Sequence, residues 1–356
     1  MFVLEFIYNL LFLIESCAFS AILFLVSWKE RGSHPYRYLS SLFSGLTWLF
    51  VGIVVFAFTI VPYPYIGYAS WWSGAWLLIC YMHYAKVKKE MEPSPAGENA
   101  GTNGHDKSGN DGLEKKNEWA RKAFHLAGFL VIASYFLVSP LVAPLIKLAV
   151  NTSGTAYTSI WGPIEHFYDF ATVNEAAIYL TLFALMATSI LVSLVDMTRI
   201  VFGEEYSLIK LIEGRFGKIL RDKERGIPGA EIFIAYSSTA AWIISIFFYP
   251  LVPGAMFIGI ACIMISTLAD GVAAIVGKSI GKRALERPFD QIKTVEGLIA
   301  GAVTSFLIGV IFMEWYLALI AAGIFVVIDY LSPPVSDNII NPIILTVAIN
   351  LISLLT

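Results

Sequence analysis

One aspartate stands inside an apolar run, where a bilayer-spanning helix has least reason to keep a charge. The run is ACIMISTLADGVAAIVGKSIGK and the residue is Asp270. An ionised side chain at bilayer depth is costly, so it is a functional candidate by default. After it come Gly277-Lys278-Ser279-Ile280-Gly281-Lys282-Arg283 and then Lys293-Thr294-Val295-Glu296-Gly297. Gly277 and Gly281 would let backbone approach a ligand closely. Lys278, Lys282, Arg283 and Lys293 can hold phosphate oxygens. Thr294 is well placed to cap a helix that begins near Val295, and such an N-terminus favours an anion. A carboxylate beside this cluster suits a metal-bridged nucleotide, with Asp270 on Mg²⁺ and the basic side chains on the remaining phosphate charge. The spacing is not that of the P-loop, GxxxxGK[ST]. A basic loop alone would read as a topology signal; the aspartate, the glycine pair and the KTxEG run together argue for more.

The elements that must position these residues are membrane helices. Of 356 residues, 57% are hydrophobic and 14% charged, and the mean hydropathy is +0.71. Soluble domains carry about 25% charged residues. At about 20 apolar residues per span, about ten candidates follow: 3–27, 38–61, 66–85, 119–146, 175–198, 230–250, 253–276, 295–313, 315–331 and 338–355. The expected fold class is all-α, a polytopic membrane protein. The first apolar segment is too long for a signal-peptide core and lacks a basic leader, so it is expected to be retained. Segments 28–38, 86–122, 199–226 and 278–293 hold 23 of the 24 basic residues, and Lys147 is the exception. With ten spans and both termini outside, all four segments fall on the cytoplasmic face.

Residues 1–89 form a three-span region, 90–117 a polar linker expected to be disordered, and 118–356 a seven-span domain. The outer stretch 148–174 is aromatic-rich and suited to the interface; its Asn151-Thr152-Ser153 sequon is a weak signal. Residues 210–225 read as an amphipathic helix, solvated or acting as a lid. Cys17, Cys80 and Cys262 are expected to be buried apolar residues. The net charge of −3 gives no reason to expect a nucleic-acid partner.

The motif order resembles a family. Asp270 through Lys282, followed by Lys293-Thr-Val-Glu-Gly, is similar to the signature of membrane CTP-using lipid enzymes. These are the dolichol, phytol and CTP-dependent diacylglycerol kinases and the phosphatidate cytidylyltransferases. Glu118-Trp-Ala-Arg121-Lys122-Ala-Phe-His125-Leu-Ala-Gly128 resembles the kinase branch's ExxRKxxHxxxG opening. Asp196-Met-Thr-Arg199 resembles its DxxR segment, Gly229-Ala-Glu231 a polar element that follows, and Asp337-Asn338-Ile-Ile-Asn341-Pro342 its closing DNxxxP run. The resemblance covers residues 118–356. The cytidylyltransferases carry a HGGxxDR-like segment that this chain lacks. Kinase members commonly place a Glu before the closing loop, where this chain has Asp329.

The resemblance implies a CTP-dependent kinase that moves the γ-phosphoryl group to a membrane isoprenoid alcohol of polyprenol or dolichol type. Asp270 and Asp337 would hold Mg²⁺, with Asp337 or Asp196 orienting the hydroxyl. Lys278, Lys282, Arg283 and Lys293 would hold the triphosphate, and Glu296 would support Lys293 or a metal-bound water. Arg121, Lys122, His125, Arg199 and Asn338 would contact phosphate or product. Bland readings stand beside these. Arg121 and Lys122 fit positive-inside anchors, His125 a buried histidine, and Asp196 with Arg199 a structural ion pair at i, i+3. Phytol or diacylglycerol kinase, or a cytidylyltransferase, are the nearest alternatives. An ion-coupled transporter or a scaffold would be a different class, although no half-to-half repeat supports transport. The three N-terminal spans could shape a lipid path or hold a homodimer contact.

Overall fold

The computed structural model describes residues 2–32, 35–61, 65–91, 127–142, 144, 173–208, 210, 226–288 and 293–356. Arg121, Lys122, His125, nearly all of the linker, residues 211–225 and the stretch up to residue 172 lie outside the described residues.

The described chain is all-α apart from one two-residue β pair. Its helices are α1 (Phe2–Lys29), α2 (Pro35–Phe58), α3 (Tyr65–Met91), α4 (Ala127–Ile132), α5 (Val173–Phe202) and α6 (Ala230–Phe248). Then come α7 (Ala255–Met264), α8 (Asp270–Ile280), α9 (Val295–Phe312), α10 (Trp315–Leu331) and α11 (Asp337–Leu355). A π-turn over Ala133–Val138 continues α4, and another over Ile265–Ala269 joins α7 to α8 as one rod. Each expected span holds helix. Among the described residues, seven helices are long and apolar enough to cross a bilayer, which makes the chain an integral membrane protein. The others fall short of ten: Phe129–Val142 and Trp315–Leu331 are shorter apolar helices, and α3 is not apolar enough.

Packing follows the residues. Every α6 residue from Ile232 to Ile243 is buried, so α6 is the central helix. Trp242 Nε1 donates to the Ile178 carbonyl of α5 at 3.0 Å. Trp48 of α2 stacks on Tyr236 at 4.3 Å between centroids. α9 shows the membrane pattern most plainly. Ile299, Val303, Leu307 and Ile311 recur every four residues and are exposed, as lipid-facing residues are. Gly297, Gly301, Ser305 and Gly309 recur on the opposite face and are buried. A Cβ on Gly301 would lie 2.7 Å from Phe325, and one on Gly309 2.6 Å from Ala318. Small residues thus let α9 close onto α10, as van der Waals-driven membrane packing requires.

Cys80 and Cys262 are buried, but Cys17 is exposed. α1 turns that residue outward, and an apolar side chain can face lipid as well as a core.

Candidate functional site

The site is built where α8 ends and α9 begins. The π-turn Ile265–Ala269 ends on Asp270, and such turns within helices frequently mark functional sites. The chain leaves α8 at Gly281 and returns through a β pair with Ala284 opposite Thr294 and Leu285 opposite Lys293. Thr294 is the N-cap of α9, and its hydroxyl accepts the Gly297 N–H at 3.2 Å, as the sequence predicts.

Three residues do something other than expected. A Cβ on Gly277 would meet Thr294 Oγ1 at 2.8 Å. One on Gly281 would meet the Gly277 carbonyl at 2.2 Å, and one on Gly297 the Ala273 carbonyl at 2.7 Å. The faces of Gly277 and Gly281 are therefore filled by Thr294, and both glycines serve close helix packing rather than ligand approach. Glu296 does not reach Lys293 either. Its Oε2 accepts the backbone N–H groups of Lys282 and Arg283, both at 3.2 Å, and so tethers the basic loop. Lys278, Lys282 and Arg283 are exposed around that loop.

Lys293 turns inward. Its Nζ donates to the Asp329 carboxylate of α10 and stands 3.8 Å from Asp270 Oδ1. Arg287 Nη2 lies 3.9 Å from the same Asp329 oxygen. Asp337 is within electrostatic reach of Asp270, as are Asp329 and Arg287. Three carboxylates and two cations thus gather on four elements. The Asp329 side chain is 2% exposed and that of Asp270 19%. Arg287 Nε and Asp329 Oδ2 are buried without a hydrogen-bond partner among the described residues. Buried polar groups left this way call for an explanation, because each unmade bond is costly.

Asp337 is fixed through its backbone. The Ser336 N–H donates to Ser40 Oγ of α2 at 2.9 Å. Pro342 lies inside α11 and offers no N–H to the carbonyl four residues back, that of Asn338. Ser237 Oγ of α6 takes that carbonyl instead, at 2.6 Å. Asn338 therefore contributes its carbonyl to a helix contact.

Asp196 and Arg199 belong elsewhere. Arg199 Nε donates to Asp196 Oδ1 at 2.5 Å, and the side chains are 2% and 0% exposed. Arg199 Nη2 also donates to the Ile227 carbonyl at 2.6 Å, and the Gly229 N–H to Asp196 Oδ2 at 2.9 Å. The pair ties α5 to the turn before α6. Of the two readings for this pair, the geometry is that of the structural one.

Sequence reasoning missed Arg287 and gave no role to Asp329, the carboxylate that stands before the closing loop. A lone carboxylate near the end of apolar α10 was the available signal for Asp329. Arg287 had none beyond its place in a basic loop. No set of three or more His, Cys, Asp or Glu gathers closely enough to hold a metal alone among the described residues. No protein-family model matches the chain, and no curated protein or solved structure does either.

Proposed function

We propose that the chain is a CTP-dependent lipid kinase that transfers a γ-phosphoryl group to a membrane isoprenoid alcohol. The observation that carries this reading is the Asp270, Lys293, Asp329, Arg287 and Asp337 cluster at the end of membrane-depth helices. Such a place is reached by a nucleotide from the water and by a hydroxyl from the bilayer. The order of motifs along residues 118–356 supplies the nucleotide and the alcohol.

Phosphoryl transfer needs positioning and charge neutralisation more than covalent help. Arg287 and Lys293 are donors for phosphate oxygens, and Arg287 Nε is buried without a hydrogen-bond partner among the described residues. Lys278, Lys282 and Arg283 meet the outer charge of the triphosphate. Asp270 and Asp337 fit Mg²⁺, which usually takes one or two carboxylates and completes its shell with phosphates and water. When bound, that ion would neutralise charge developing on the phosphates. Asp337 also orients the alcohol, since Asp196 is committed to Arg199. The alcohol oxygen forms a bond to the γ-phosphorus, the bond to the bridging oxygen breaks, CDP leaves, and the hydroxyl proton passes to the Asp337 carboxylate. The active end would face the cytoplasm, where the basic segments gather by the positive-inside rule.

The test is phosphate transfer by purified protein in detergent, from γ-labelled CTP or ATP to polyprenol, phytol and diacylglycerol, beside Asp270→Asn. Labelled alcohol with CTP, lost in the variant, supports the kinase and names its substrate. CMP-linked lipid formed from phosphatidic acid moves the chain to cytidylyltransferase chemistry. Neither product, with no CTP binding, overturns the reading and makes transport the next assay.

A further inference from the structure

A cavity of about 180 Å³ opens between α4, α5 and α6. The surface it presents is mostly apolar and includes Leu130, Leu185 and Ala235, with Thr181 and Glu231 among the five polar residues of the twelve that line it. It follows α5 from Thr181 to Val192, about 16 Å at 1.5 Å per residue. Glu231 lies in the first turn of α6, within electrostatic reach of Arg199. That end of the cavity is therefore the end where the helix termini and charges gather. Residues of α4, which form one wall, pack against Ile265–Ala269, the turn that leads into Asp270.

The cavity is too apolar for a nucleotide and lies along helices that cross the bilayer. Buried apolar space of about 150 Å³ takes a benzene-sized guest, close to one five-carbon isoprene unit. Thr181, whose hydroxyl is buried without a hydrogen-bond partner among the described residues, lines this space as well. We propose that this cavity holds the proximal isoprenoid chain of the alcohol and so aligns its hydroxyl with the Asp270 and Asp337 carboxylates. The proposal rests on the kinase reading for the identity of the guest. It adds the place where the saturation of the isoprene unit next to the hydroxyl is sensed.

The experiment fills the cavity and maps the guest separately. Ala184→Leu and Ser238→Leu, on two of its walls, are assayed for phosphate transfer to a polyprenol. The KM for the alcohol rises at least about tenfold, the discrimination a hydrophobic pocket draws from a methylene or two. The KM for CTP stays as in the parent. In parallel, a diazirine-bearing farnesol is photo-crosslinked to the intact protein in micelles and the labelled peptides are identified. Label on residues 130–134, 181–192 or 231–238 supports the proposal, and competition by excess polyprenol confirms the site. Transfer that proceeds normally in both filled variants, with label elsewhere, overturns the cavity and leaves the kinase standing. If the parent transfers no phosphate but the cavity is labelled and competed, the kinase reading fails and the lipid site stands. Absence of both transfer and label overturns both.

Discussion

Replacing Asp196 by Asn separates a structural pair from a catalytic one. The substitution removes the charge facing Arg199, whose side chain is 2% exposed and whose partner is 0% exposed. The guanidinium keeps its bond to the Ile227 carbonyl and an amide oxygen in place of the carboxylate, but it loses its paired counter-charge, with only Glu231 and Glu204 left to act on it. Breaking a buried pair from one side costs about 3–5 kcal/mol. That is a large share of the roughly 5–15 kcal/mol that holds a typical domain. At roughly 2–4 °C per kcal/mol, the melting midpoint falls by roughly 6–20 °C. The assay is tryptophan fluorescence on heating in micelles, with Trp48 and Trp242 as fully buried reporters. The double variant Asp196→Leu with Arg199→Leu removes both charges and recovers most of the loss, because apolar replacements of buried pairs are often neutral. It does not recover all of it: the Gly229 N–H loses its acceptor, worth about 1–3 kcal/mol. An Asp196→Asn protein with the parental midpoint and no transfer activity would refute this reasoning and return Asp196 to the chemistry.

Asp270→Asn lowers phosphate transfer by at least about a hundredfold with the midpoint unchanged, since the like charges of Asp337 and Asp329 offset the attraction of Lys293 and Arg287; an active variant removes it from the site. Asp329→Leu strips Lys293 and Arg287 of their buried counter-charge and lowers stability by about 3–5 kcal/mol, read by the same melting curve. Gly281→Ala forces the end of α8 off Thr294, where the added carbon would sit 2.6 Å from Oγ1. It costs about 1–3 kcal/mol as overpacking does, and a variant that melts normally but loses only CTP binding restores the ligand-approach reading. Ser40→Val leaves the Ser336 N–H without its acceptor, costs about 1–3 kcal/mol and lowers transfer with every charged group of the cluster still present.

Much of the architecture is legible because hydropathy acts locally. Ten apolar runs hold helix, and Thr294 caps α9 as its position before Val295 implies. What is not legible is partner choice. Lys293 reads equally well as a phosphate ligand and as the counter-ion of a carboxylate 36 residues away, and only folding brings Asp329 to it. Gly277 and Gly281 look like a ligand cradle because spacing says that a side chain is missing, without saying what fills the gap. The recurrence of Gly297, Gly301, Ser305 and Gly309 was available as a signal for close packing, and it points to the tight seam onto which these glycines abut. Pro342 could be seen as a helix interruption, but the freed Asn338 carbonyl and its new donor Ser237 lie on different helices.

The two charge clusters suggest why the N-terminal helices belong with the rest. Neither Asp196 nor Arg199 has a buried side-chain atom left unmatched among the described residues, and their bonds go to each other and to the turn before α6. The Asp270 cluster is unsaturated, with Arg287 Nε and Asp329 Oδ2 unmatched among the described residues. On the proposed reading the cluster receives a charged guest, so ion pairs beyond those of Asp329 with Lys293 and Arg287 would close the places the guest takes. The rest of its rigidity comes from neutral contacts made behind it. Those contacts are the Ser40 hydroxyl on α2, the Ser237 hydroxyl on α6 and the glycine seam between α8 and α9. On this argument α2 is part of the scaffold that aims Asp337, which the stack of Trp48 on Tyr236 carries on into the central helix.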